Sequence, residues 1–240
     1  MNAVSIIPLP IEWSLRSAAL ARDEVRIYRT SLSALEPHWE RLSRRLSREE
    51  AQKALAYRLT GPRRRFELVR GCLRELLSAL LGCDARQVAI ERNTEGKPQL
   101  SATGEPPLHF NVSHSRDLAL FAVCASAAVG VDVEYIDKAI NAELVMQTAF
   151  SDVERTACYE AGEANVLEQF FRTWTRKEAR IKACGLAMAH RFFASSDRLP
   201  VLDLQLSDEY VGAVAVYGNG ERSVRSPVSS NLYHKQGSIR

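Results

Sequence analysis

A chain of 240 residues that is 46% hydrophobic and 25% charged is globular in composition, which excludes disordered and fibrous classes and leaves room for one large domain or two small lobes. The net charge of +3 is too small to argue for nucleic acid by itself, but residues 41–70 hold ten Lys or Arg against three Glu, a local positive field that an anion would answer. The five cysteines (Cys72, Cys83, Cys124, Cys158, Cys184) are scattered without a CxxC, so free thiols are expected, with neither disulfides nor a zinc site.

The N-terminal apolar stretch carries two prolines and no basic start, which speaks against a signal peptide. No apolar run reaches the roughly 20 residues that span a bilayer. A cytoplasmic protein without membrane partners is expected.

In chain order, residues 1–22 read as irregular and "EVRIYRTSL" as a first strand. Ser47 with Glu50 three residues on marks a helix start for "LSREEAQKALAYRL". Pro62 opens a longer helix whose apolar positions Phe66, Val69, Leu73, Leu76, Leu77 and Leu80 fall on one face, and Gly82 closes it. "QVAIER" is a short strand before the turn-rich "NTEGKPQL". "LALFAVCA" and "VGVDVEYI" are strands joined through Ser126 and Ala127. Helical patterns cover 141–148, 151–161 and 166–184. "VLDLQLS" and "EYVGAVAVYG" form a closing hairpin.

The order of elements predicts an α+β chain of two lobes meeting near 110–118. The divisions expected are 1–116, 117–218 and a polar tail at 219–240, without a visible repeat between the lobes.

Alternation along "VGVDVEYI" puts Val129, Val131, Val133 and Tyr135 on one face, and Gly130, Asp132, Glu134 and Ile136 on the other. Two carboxylates about 7 Å apart on a rigid strand suit a hard divalent cation; the ordinary alternative is a solvated acidic face. In "WTRKEARIKACG", Trp174, Glu178 and Lys182 recur every four residues and share a helix face. A surface Glu–Lys pair is the usual outcome of such spacing. Here Phe170, Phe171 and Ile181 imply burial, and a buried carboxylate needs a partner or a metal. "FNVSHS" places Ser113 and His114 where they could grip a phosphate, although a lone histidine is more often a packing residue. "EGKP" is a Gly-Lys turn at Gly96, Lys97 and Pro98.

The ordered set "EGKP", "FNVSHS", "VGVDVE", "FFRTWTRKEARIKACG" resembles the Sfp-type 4′-phosphopantetheinyl transferases over roughly residues 45–217. The resemblance implies a pseudo-dimer of two similar α+β lobes with coenzyme A in the cleft between them. It implies transfer of phosphopantetheine from coenzyme A to a serine of an apo acyl or peptidyl carrier protein, releasing adenosine 3′,5′-bisphosphate. It further implies that Asp132, Glu134 and Glu178 bind Mg²⁺, that Glu178 takes the serine proton, and that Lys182 neutralises the pyrophosphate. Ser113 and His114 would meet the nucleotide's phosphates, Gly96, Lys97 and Pro98 the adenine side, and Lys53 and Arg70 the 3′-phosphate.

Glu67 falls near where some relatives place a cation. Where relatives continue with Gly-x-Gly-Leu, this chain reads "CGLAMAHRFF", with Ala187 at the second glycine. A monomer is expected. Two other readings compete: a different Mg²⁺-dependent phosphate enzyme, and a polyanion or nucleic-acid module built on 41–70, which leaves the three carboxylates unexplained.

Overall fold

The computed structural model describes residues 2–9, 20–22, 24–101, 107–185, 199–217 and 224–225. Strand β1 (Asn2–Pro8) lies within the stretch expected to be irregular. Its pairing with β2 (Glu24–Ser31) supplies the long-range ladder that local pattern does not reveal. Then follow α1 (Leu32–Leu35), a 3₁₀ turn (Glu36–His38), α2 (Trp39–Ser43), α3 (Arg48–Leu55) and α4 (Thr60–Leu81). Helix α3 starts with the expected capping box: Ser47 Oγ accepts the Glu50 N–H at 3.2 Å and Glu50 Oε2 accepts the Ser47 N–H at 2.9 Å. Pro62 sits in the first turn of α4, where its missing N–H costs nothing, and Gly82 ends the helix at φ 67°.

Strands β3 (Ile90–Arg92) and β4 (Pro98–Leu100) form a small hairpin. The rest of the fold is β5 (His109–Ser115), β6 (Leu118–Cys124), β7 (Ala128–Tyr135), α5 (Ala142–Ala149), α6 (Asp152–Glu160), α7 (Val166–Ala183), β8 (Val201–Ser207), β9 (Tyr210–Tyr217) and β10 (Val224–Arg225). The expected tail lies outside the described residues except for β10, and so does Ala187.

Two larger sheets organise the chain, one in the order β10-β1-β2-β6-β5 and one in the order β7-β9-β8. They stack as the middle layers of an α/β/β/α arrangement. Tyr28, Phe121 and Val123 on the outer face of the first sheet pack with Leu68, Leu73, Leu76 and Leu77 of α4. Its inner face (Val25, Ile27, Leu120, Ala122) shares one core with Val129, Val131, Val133 and Val214 of the second sheet. The far side of that second sheet carries α7, with Ala179 and Ala183 against Ala213 and Ala215.

The α+β class holds, in two lobes carrying unequal sheets. Strand β6, expected in the second lobe, is an interior strand of the first sheet between β2 and β5, so a break at 116/117 would cut a hairpin. We place the division at 125–127, where the chain leaves one sheet for the other.

Much of the basic block is consumed internally. Arg41 and Arg45 both reach the buried Glu75, Arg64 pairs with Glu36, and Arg70 and Arg74 share Glu50. Glu67, between the Trp39 indole N–H and Arg63, belongs to the same internal network. These partners offset part of the positive field expected of 41–70.

Candidate active site

The site lies along the seam where β5, an edge strand of the first sheet, runs beside β7, an edge strand of the second. Strands β5 and β7 run parallel, joined by side chains instead of a backbone ladder. Asn111 Oδ1 accepts the Val131 N–H at 2.9 Å, Ser113 Oγ the Val133 N–H at 3.4 Å and Ser115 Oγ the Tyr135 N–H at 3.1 Å. Residues 111, 113 and 115 share a face because side chains alternate along a strand. Edge N–H groups that would otherwise be orphaned are thereby satisfied.

On β7 the valines turn into the shared core, as alternation predicts, and Asp132 and Glu134 turn toward α7. That helix approaches at backbone distance because of Gly130. A Cβ there would stand 2.0 Å from the Ala179 carbonyl oxygen and 2.3 Å from the Ala183 nitrogen. The close approach delivers Glu178 and Lys182 to the carboxylates.

Lys182 Nζ donates to Asp132 Oδ1 at 2.6 Å, to Ser113 Oγ at 3.2 Å and to the Val131 carbonyl at 3.3 Å. Ser113 Oγ in turn donates to Asp132 Oδ1 at 2.8 Å. Its single proton and both lone pairs are thus engaged, so this hydroxyl holds Asp132 and has nothing left to donate to a phosphate. The other oxygen, Asp132 Oδ2, is buried and finds no hydrogen-bond partner. Glu178 is 3% exposed. Burial raises the Glu134 carboxyl above the ordinary range, with the charges of Asp132 and Glu178 adding to the effect and Ser115 and Lys182 opposing it.

The three carboxylates therefore share one electrostatic neighbourhood. Among the described residues, however, no group of three or more His, Cys, Asp and Glu side chains is gathered tightly enough to chelate an ion by itself.

Trp174 sits one turn before Glu178 and packs against the stacked Phe150 and Phe170 rings, anchoring α7 in an aromatic cluster. The Glu178–Lys182 face is thus buried against β7, as the bulk of its neighbours foretold.

A cleft of about 360 Å³ opens between α4 and β5, lined by Tyr57, Arg65, Phe66, Arg70, Pro98 and His114 among others. Partial burial lowers the His114 imidazole below the usual histidine range, and the positive charges of Arg65 and Lys182 lower it further. Lys53 lies 5.3 Å from the Phe66 ring centre. Its ammonium is pushed down by burial, then by repulsion from Arg92 and Arg70. Arg70 is lowered by burial first, and Arg74 and Arg92 also act on it against the pull of Glu50. Such crowded cations favour a multiply charged anion. Arg92 was not anticipated, since a charged residue on a short strand carries no signal of its own.

The "EGKP" turn does something different from what was expected of it. Gly96 takes φ 83°, and Asn93 Oδ1 receives the Glu95 and Lys97 N–H groups. Lys97 points its ammonium at the Val129 and Lys182 carbonyls, at 3.1 and 2.6 Å. Burial pushes it down to about 8. Asn93 Nδ2 also donates to the Gly185 carbonyl at 2.9 Å. The turn clamps the end of α7, and of its three residues Pro98 faces the cleft.

Two family models match in tandem: one described as 4′-phosphopantetheinyl transferase, N-terminal, at residues 31–126, and one described as the 4′-phosphopantetheinyl transferase superfamily at 128–230. The chain is 34% identical to the 4′-phosphopantetheinyl transferase HetI of Nostoc sp. strain PCC 7120 over 84% of its own length and 91% of that protein. It is 35% identical to the 4′-phosphopantetheinyl transferase AcpT of Escherichia coli K12 over 52% of its length and 60% of that protein. To the human L-aminoadipate-semialdehyde dehydrogenase-phosphopantetheinyl transferase it is 26% identical, over 71% of its length and 54% of the human protein. A carboxylate-bearing strand edge, the WTRKEARIK helix laid across it and these two tandem matches lead to one conclusion: the chain belongs to the 4′-phosphopantetheinyl transferase superfamily.

Proposed function

We propose that this phosphopantetheinyl transferase takes its group from coenzyme A and attaches it to a serine of an apo acyl or peptidyl carrier protein, with Mg²⁺ bound by Asp132, Glu134 and Glu178. The observation that carries the metal assignment is Asp132 Oδ2, a buried carboxylate oxygen without a partner beside two further carboxylates. When bound, the ion supplies positive charge against the pyrophosphate and polarises the phosphoryl centre.

The chain's own groups do the rest. Glu178 accepts the proton as the serine oxygen forms its bond to phosphorus, and the bond to the departing bisphosphate oxygen breaks. Lys182 meets the charge left on that oxygen. Lys53, Arg70 and Arg92 attract the nucleotide phosphates, and the Tyr57, Phe66 and Pro98 surfaces of the cleft suit the flat base. The His114 ring is available as a hydrogen-bonding group at the cleft wall. A single chain carries all of these groups, which supports action as a monomer. Among the described residues no helix is long and apolar enough to cross a membrane.

The deciding assay is the mass of an apo carrier protein after incubation with the protein, coenzyme A and Mg²⁺. The expected result is one added phosphopantetheine, lost with EDTA and slowed at least about a hundredfold by Glu178→Gln. A panel of carriers that gains no mass overturns the proposal. Steeply salt-dependent nucleic-acid binding that ignores EDTA would instead favour the polyanion reading.

A further inference from the structure

Strand β5 matches β7 residue by residue. In "NVSHS" and "GVDVE" each inward side chain of β5 accepts the backbone N–H 20 positions on, and the two serines also meet the side chain 19 positions on. Asn111 stands at the level of Gly130, where β7 has no side chain, and its amide oxygen only accepts the Val131 N–H. Ser113 stands at Asp132, and Ser115 at Glu134. There a single oxygen must accept an N–H and also donate to a carboxylate. A hydroxyl can do both, whereas an amide would need two separated atoms and a carboxylate would repel.

Ser115 Oγ does so at 3.1 Å from the Tyr135 nitrogen and 2.7 Å from Glu134 Oε2. A second constraint fixes where this hydroxyl sits. Arg116, next in the chain, takes φ 46°, an uncommon conformation for a residue with a Cβ. Its guanidinium is pinned 3.8 Å from the Tyr135 ring centre and 2.9 Å from Asp137. The tip of the β5–β6 hairpin is therefore tied to the end of β7 at Glu134 and at the residues just after it.

We infer that Ser115 is a positioning residue for the metal. It holds one oxygen of Glu134 by donating to it, so that the carboxylate presents its other oxygen in a fixed direction. Hydrogen-bonded partners of metal-ligating carboxylates commonly alter metal affinity by about 10- to 100-fold when removed. The inference rests on the metal reading above, and the experiment separates the two.

Mn²⁺ is titrated into the purified protein and the free ion is followed by electron paramagnetic resonance, with circular dichroism melts run alongside. Ser115→Ala is expected to weaken Mn²⁺ binding about tenfold, and Ser115→Thr, which keeps the hydroxyl, to restore it. Asn111→Ala removes the same kind of strand contact with no carboxylate attached, and is expected to leave Mn²⁺ affinity unchanged. Should the alanine variant fail to fold, Ser115→Cys keeps the shape with a weak donor and is read in its place. Wild-type affinity in Ser115→Ala, with affinity lost in Glu134→Ala, overturns the positioning role and leaves the metal site standing. Equal losses in Ser115→Ala and Asn111→Ala also overturn it, as a purely structural effect. If the wild type binds no Mn²⁺, or Glu134→Ala and Asp132→Asn bind it normally, the metal reading fails and this inference fails with it.

Discussion

Lys182 answers two demands with one ammonium. Under the proposed mechanism it meets the leaving-group charge, and in the structure it neutralises a carboxylate whose side chain is only 4% exposed. Removing one member of a buried pair strands the other, at a cost of about 3–5 kcal/mol. With the Lys182 side chain 22% exposed, Lys182→Met should fall toward the lower end of that range. Adding Asp132→Asn removes the stranded charge, so the double variant should recover most of the lost stability while remaining inactive. Urea midpoints and the carrier-mass assay read the two quantities separately. A Lys182→Met protein as stable as wild type would mean that the pair is already solvated. The pairing with Asp132 spans 50 positions in sequence, and nothing local to either residue announces it.

At the scale of elements, Gly130 decides how near α7 lies to β7. The atoms its Cβ would strike belong to the helix backbone, which has no rotamer to yield. Overpacking generally costs about 1–3 kcal/mol, and a clash with backbone belongs at or above the top of that range. Gly130→Ala should therefore lower the urea midpoint sharply and reduce transfer further than the stability loss explains, because Glu178 and Lys182 move with the helix. Activity and midpoint both near wild type would show that the helix can shift freely.

The periodic signals were legible. Alternation in "VGVDVE" and four-residue spacing in "WTRKEARIK" placed both elements and the faces they bury, and the capping box fixed the start of α3. Contacts to backbone were not legible. Lys97 bonds to the carbonyls of Val129 and Lys182, and Ser115 accepts the N–H of Tyr135. Every residue presents such groups, so the target of a side chain that seeks them leaves no mark in the sequence. For the same reason β1 went unseen, its evidence lying in a partner strand some twenty residues on.

For the whole molecule, the active site sits on a seam, so its integrity depends on whether the lobes separate. The inner faces of both sheets contribute to one apolar cluster, with Val25, Ile27 and Leu120 from one side and Val129, Val131 and Val133 from the other all fully buried. Above that core the β5–β7 contacts satisfy edge N–H groups that would be left unpaired if the lobes parted, at about 1–3 kcal/mol each when buried. Neither lobe can open without exposing the shared valines, so the two should unfold together. Two tryptophans test this. Trp39 packs against the first lobe's core and Trp174 lies in the aromatic cluster of the second. In a Trp13→Phe background, Trp39→Phe leaves one reporter and Trp174→Phe leaves the other. Within each variant the urea midpoint from fluorescence should coincide with that from far-ultraviolet circular dichroism, whatever the substitution itself costs. If the Trp174 signal changes before the helical signal is lost, the second lobe opens on its own, and the seam holding Asp132, Glu134 and Lys182 would then be a hinge.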